Sequence, residues 1–179
     1  MVVPGGFSYG DYLRAGAIAR FSPVMESVTR FAGEGGLVLG ICNGFQILCE
    51  AGLLPGALLP NTSLRFTCRQ IAVEVANPHT AWTGACARRD VLSIPAKHTT
   101  GRYWAPDPVL DEVEAGGQVV LRYAPGSNFN GSARDIAGVC NNAGNVLGLM
   151  PHPEHAVDVL TGSADGLALF ESAARVPAR

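Results

Sequence analysis

No apolar run in this sequence is long enough to cross a membrane, although 47% of its 179 residues are hydrophobic. A chain of this size therefore has the material for a core without a membrane span. Lys and Arg nowhere cluster, and the formal net charge is −2. The electrostatic footprint of a nucleic-acid or membrane-surface binder is missing, so small molecules and protein partners are expected instead. There is no CxxC pair: Cys42, Cys49, Cys68, Cys86 and Cys140 are scattered, and an odd count fits neither a disulfide framework nor a zinc site. A reducing cytoplasm is the expected compartment. The opening MVVPGGFSYG lacks both the charged and the apolar region of a signal peptide. Neither a GxGxxG fingerprint nor a Gly-Lys-Ser/Thr phosphate loop occurs, and no internal repeat or low-complexity tract is visible.

What is there reads as an α/β domain. Val2 and Val3 run straight into a Pro-Gly-Gly loop, as if the chain opened inside a strand, and an upstream piece is expected to be missing. Ser22-Pro23 supplies an N-cap and a first-turn proline, and Val24, Val28 and Phe31 follow at helical spacing. Residues 37–41 form a short apolar run suited to a strand covered on both faces, and residues 43–51 read as the next helix, stopped by Gly52. Further on the pattern turns to strands near 70–76, 91–94 and 118–123, antiparallel or mixed. Residues 135–140 and 146–150 are expected to be strands joined by an Asn- and Gly-rich hairpin loop, and a helix near 164–174 closes the chain.

Gly40-Ile41-Cys42-Asn43-Gly44 places a cysteine at the strand-to-helix junction with glycine two residues to either side. That is the thiol counterpart of a serine nucleophile elbow, whose tight turn leaves no room for side chains at the flanking positions. A sulfur there feels the positive end of the helix dipole, which is expected to lower its pKa. The N–H of Asn43, unpaired in the first turn, is expected to face a developing oxyanion. A buried cysteine can also be no more than a small hydrophobe, and the other four cysteines, which lack this setting, are read that way.

A cysteine acting on an amide needs a histidine as base and a third group to fix the ring. Met150-Pro151-His152-Pro153-Glu154 offers both just past an apolar strand. Prolines bias the stretch toward extended backbone, in which His152 and Glu154 point the same way. His155 is read as a surface or supporting residue, and His98 as part of a polar loop that could line a cleft. The loop Pro4-Gly5-Gly6-Phe7-Ser8-Tyr9-Gly10-Asp11 could bring a second oxyanion N–H from Gly6 or Phe7, with a plain tight turn the equal reading.

These residues, with GRYWAP, NGSARDIAGVCN and NVLGLMPHPEHAV, cover nearly the whole chain in the order found in the class I (triad) glutamine amidotransferases. Among them the chain most closely resembles the stand-alone glutaminase subunits of phosphoribosylformylglycinamidine synthases. The resemblance implies a flavodoxin-like fold, a mixed sheet with helices on both faces, as a single domain over 1–179 lacking the family's N-terminal strand-helix unit. It implies a triad of Cys42, His152 and Glu154, oxyanion N–H groups from Gly6 and Asn43, and Gln46 as a substrate holder. It also implies L-glutamine as substrate, a γ-glutamyl thioester on Cys42, and transfer of ammonia to a synthetase subunit, with a small third subunit bridging the complex. No metal or cofactor is expected in this chain, ATP and Mg²⁺ being used by the synthetase. Lys97-His98-Thr99-Thr100 departs from the family's His-Gly-Glu run, so no catalytic role is assigned there. The alternatives are a cysteine peptidase or chaperone of related elbow fold, and a truncated subunit that only docks.

Overall fold

The computed structural model describes residues 1–177, so the last two residues of the expected 1–179 domain lie outside the described residues. A two-residue strand β1 (Val2–Val3) is followed by a glycine-rich loop, a 3-10 turn and helix α1 (Pro23–Gly33), whose first residue is the expected proline. Strand β2 (Val38–Ile41) leads directly into helix α2 (Asn43–Glu50). All four residues of β2 are buried, so both faces of the strand are covered.

The next stretch holds three elements the periodicity did not suggest. Strand β3 (Ala57–Pro60) pairs with β6 (Thr100–Trp104) in a separate two-stranded ribbon. Between them run β4 (Thr67–Val75) and β5 (Val91–His98), and after them comes α3 (Asp107–Ala115), which buries Leu110 and Val113. Strand β5 is longer than expected and includes Pro95 and His98, so His98 is the last residue of a strand and not part of a loop. Proline is tolerated because β5 is an edge strand, where a missing N–H breaks no second ladder. Strands β7 (Val119–Tyr123), β8 (Ile136–Cys140) and β9 (Val146–Leu149) and helix α4 (Leu167–Ala174) complete the order. The β8–β9 hairpin falls where the Asn-rich loop placed it, with Gly144 in the left-handed region.

The main sheet has the order β1-β2-β9-β8-β7-β4-β5. The pairs β1–β2 and β2–β9 are parallel, and every later pair is antiparallel. Successive reversals from β9 through β8, β7 and β4 bring β5 back to the direction of β9. The carboxyl ends of β1, β2, β9 and β5 therefore emerge at the same side. His152, just past β9, donates its backbone N–H to Pro95 O of the distant edge strand at 2.8 Å, so the sheet curls there around a common centre. Among the described residues no helix is long and apolar enough to cross a membrane.

Candidate active site

Four strand ends supply the walls of one cavity of about 710 Å³, with Gly5 and Gly6 after β1, Cys42 after β2, His152 and Glu154 after β9, and Lys97 at the end of β5. This is where α/β sheets place their sites, because strand ends leave a crevice that loops can fill with side chains.

Cys42 is held at a positive φ that side chains rarely adopt, with φ 50° and ψ −104°. Its backbone is fixed on both sides: Cys42 N–H donates to Leu149 O at 2.8 Å, and Cys42 O accepts from Gln46 N–H at 3.1 Å. A Cβ at Gly44 would fall 1.9 Å from Val3 O, and one at Gly40 would fall 2.9 Å from the Gly44 carbonyl carbon. The glycine spacing is thus a packing requirement of backbone on backbone, as the motif predicted.

The electrostatics correct one expectation. The Cys42 thiol is pushed up to about 11 by burial, which outweighs the N–H of Asn43 acting in the opposite direction; Glu154 and Asp11 add to the rise. In this state the sulfur is a neutral thiol that donates to Lys97 O at 3.8 Å. The helix terminus alone does not make a thiolate here. A base must take the proton.

A candidate base, His152, lines the same cavity. His152 is buried, and its Nδ1 bonds Glu154 Oε1 at 2.6 Å, which fixes the ring and leaves Nε2 buried without a partner among the described residues. Burial raises the Glu154 carboxyl, but the hydrogen bond and charge of His152 outweigh it and hold the group below its usual range. Gly5 lets the ring sit close, since a Cβ there would lie 2.7 Å from His152 Cε1 and 3.5 Å from Cys42 Cβ.

Of the other predicted residues, Gly6 lines the cavity with φ 143°, and no heavy atom lies within 4 Å of where its Cβ would be. The N–H of Asn43 faces the Cys42 sulfur. Its side chain is a structural hub: Nδ2 donates to Asp11 Oδ2 at 2.8 Å and to Gln46 Oε1 at 2.9 Å, and Oδ1 accepts from Ser8 Oγ at 2.5 Å. Gln46 lines the cavity, and its amide nitrogen donates to Thr100 O at 2.5 Å. Asp11, which the sequence reading passed over, ties the glycine-rich loop by accepting from Ser8 N–H at 2.6 Å and Gly16 N–H at 2.9 Å.

The wall formed by β5 was not legible beforehand. Asn61 Nδ2 donates to Arg65 O and His98 O, so its Oδ1 must be the acceptor for His98 Nδ1 at 3.1 Å. His98 Nδ1 therefore carries a proton, and burial, reinforced by nearby His152, pushes the pKa down to about 4, so at neutral pH the ring is neutral with a bare Nε2. Its ring packs at 5.2 Å from Phe129. Lys97 Nζ donates to His155 Nδ1 at 2.9 Å, and the His155 ring lies parallel to His152 at 5.1 Å. His152, Glu154 and His155 bring donor atoms within 4.8 Å of one another, a spacing a metal ion could use. Within the group His152 Nδ1 and Glu154 Oε1 bond each other, and His155 Nδ1 accepts from the ammonium of Lys97.

One cavity thus holds a thiol on a strand-to-helix elbow and a His152–Glu154 pair, the groups that cysteine amidase chemistry would use. The model of the CobB/CobQ-like glutamine amidotransferase domain matches residues 1–173, and the chain belongs to that family. The phosphoribosylformylglycinamidine synthase subunit PurQ of Mycobacterium tuberculosis (strain ATCC 25618 / H37Rv) is 62% identical over 174 residues, 97% of this chain and 77% of that protein. The subunit PurQ of Salinibacter ruber is 56% identical over 96% of this chain and 76% of its own length. The solved structure of PurLQS from Thermotoga maritima contains a chain that matches 97% of this one at 47% identity, with a TM-score of 0.88 and 77% of its own length covered.

Proposed function

We propose that this chain is the glutaminase subunit of a phosphoribosylformylglycinamidine synthase, hydrolysing L-glutamine at Cys42 and handing the ammonia to a synthetase subunit. The observation that carries the reading is the fixed His152 ring, with Nδ1 on Glu154 and Nε2 free at the thiol's cavity. The high identity to PurQ subunits points that chemistry at glutamine and at this synthase.

The steps follow from the groups present. His152 Nε2 takes the proton of Cys42 Sγ as the sulfur attacks the γ-carbonyl carbon, and the N–H of Asn43, with that of Gly6, receives the oxyanion. His152 then protonates the amide nitrogen, the C–N bond breaks, ammonia leaves and a γ-glutamyl thioester remains. Water attacks the thioester, giving its proton to His152. Collapse releases glutamate, and the proton returns to sulfur. Glu154 stabilises the imidazolium throughout. In this reading ATP and Mg²⁺ serve the synthetase subunit, a small third subunit bridges the complex, this chain carries no cofactor, and the assembly works in the cytoplasm.

The test is Cys42→Ala in the complex reconstituted with its synthetase. Glutamine-dependent synthesis is expected to vanish while synthesis from free ammonia survives. Loss of both would make Cys42 structural, and a wild-type complex that released no glutamate would favour a docking role alone. The isolated wild-type chain is expected to hydrolyse glutamine slowly, and full activity without partners would overturn that expectation.

A further inference from the structure

The triad explains how the γ-amide is cleaved and leaves open how the other end of the substrate is recognised. L-Glutamine carries an α-carboxylate, and a cavity that takes up such a charge must neutralise it. Lys97 is the only lysine in the sequence, and no arginine lines the cavity among the described residues. Its ammonium forms no ion pair with a carboxylate among the described residues, and its recorded partner is the ring nitrogen of His155. An ammonium has three donors, so two remain for a ligand. Asp11 cannot serve as its counterion, being tied to Ser8, Gly16 and Asn43.

The placement suits an α-carboxylate. The carbonyl of Lys97 accepts the Cys42 thiol at 3.8 Å, so the residue starts beside the reacting sulfur and runs outward. From its Cα to Nζ there are as many covalent bonds as from the γ-carbonyl carbon of glutamine to its α-carboxylate oxygen. A substrate acylating Cys42 and extending along this side chain therefore ends near the ammonium. His155 holds the ammonium from the rim: Nδ1 accepts from it, the ring stacks on His152, and Nε2 lies 3.8 Å from Glu154 Oε1.

We propose that Lys97, steadied by His155, binds the α-carboxylate of L-glutamine and makes the site select an amino-acid amide over a simple carboxamide. This rests on the glutaminase reading above. The test uses the reconstituted complex with Lys97→Met and Lys97→Arg, read as KM and kcat for glutamine. The second readout is the inhibition constant of 4-aminobutanamide, which is glutamine without its α-carboxylate.

Lys97→Met is expected to raise KM for glutamine by ~30- to 100-fold, as loss of one partner of a desolvated charge pair does. kcat should change little, Lys97→Arg should recover most of the loss, and the inhibition constant of 4-aminobutanamide should move less than ~3-fold. An unchanged KM would overturn the proposal. So would a parallel loss for glutamine and the analogue, which would mean that Lys97 acts only by positioning His152 through His155. Neither result touches the glutaminase reading, which is tested separately by glutamate release from the wild-type complex and by Cys42→Ala.

Discussion

The two halves of the sheet contribute to the cavity in different ways. The parallel half, β1-β2-β9 with α2, carries the groups proposed to react, Cys42 and His152 with Glu154, and the glycines Gly5 and Gly6 beside them. Cys42 and His152 follow the buried inner strands β2 and β9, and backbone hydrogen bonds to Leu149 O and Pro95 O fix them. The antiparallel half, β8-β7-β4-β5, carries a wall of neutral or unpaired groups, with His98 held by Asn61 and Lys97 by His155. On the proposals above, the chemistry falls to the parallel strands and recognition of the substrate's α-carboxylate to the edge strand β5.

The comparison would break most plainly at Gly44. Gly44→Ala drives a methyl into Val3 O, and it should cost about 3 kcal/mol or more in denaturant unfolding and abolish glutaminase activity. A fully active, stable variant would show that the elbow is not rigid. Next in size is Glu154→Gln, expected to lower kcat by ~10³-fold or more because an amide neither stabilises an imidazolium nor enforces the same ring tautomer. The same pair gives a pH signature. The Glu154 carboxyl is depressed in the folded state, so its contribution is present above the ordinary carboxylate range and is lost as pH falls through the folded value. Wild type should therefore lose more stability than Glu154→Gln between neutral pH and the acid range in urea titrations, and parallel curves would contradict this.

On the antiparallel side, Asn61→Ala should cost ~1–3 kcal/mol by leaving two backbone carbonyls and the His98 N–H unpaired. It should raise KM more than it lowers kcat, since it loosens the wall and leaves the triad in place. A purely kcat defect would erase the division between the halves. A further check is alkylation of Cys42, followed by peptide mass analysis to separate it from exposed Cys68. With the thiol pushed up to about 11, its rate in the free subunit should still be climbing well above pH 9. A plateau near neutrality would mean that the thiolate is already formed. Smallest of all, Arg14→Ala removes an exposed partner of Glu50 and should change stability by less than ~0.5 kcal/mol.

Much of the parallel half could be read from residues close together in the chain. Gly40 to Gly44 compress strand, nucleophile and helix into five positions, and His152 and Glu154 stand two apart between prolines, so local sterics specified them. The antiparallel half gave less away. Pro95 disguised the end of β5, which made His98 look like a loop residue, and β3, β6 and α3 were too short or too polar for their periodicity to stand out.

The amino-acid order by itself determined the elbow and the His152–Glu154 pair, because each depends on neighbours within a few residues whose geometry backbone sterics dictate. Tertiary structure alone raised the pKa of the Cys42 thiol, since burial outweighs the N–H of Asn43 at the helix terminus. It alone also brought Lys97, His98 and Asp11 to the cavity. Their partners, at His155, Asn61 and Asn43, are separated along the chain and meet only when the sheet curls and the strand ends converge.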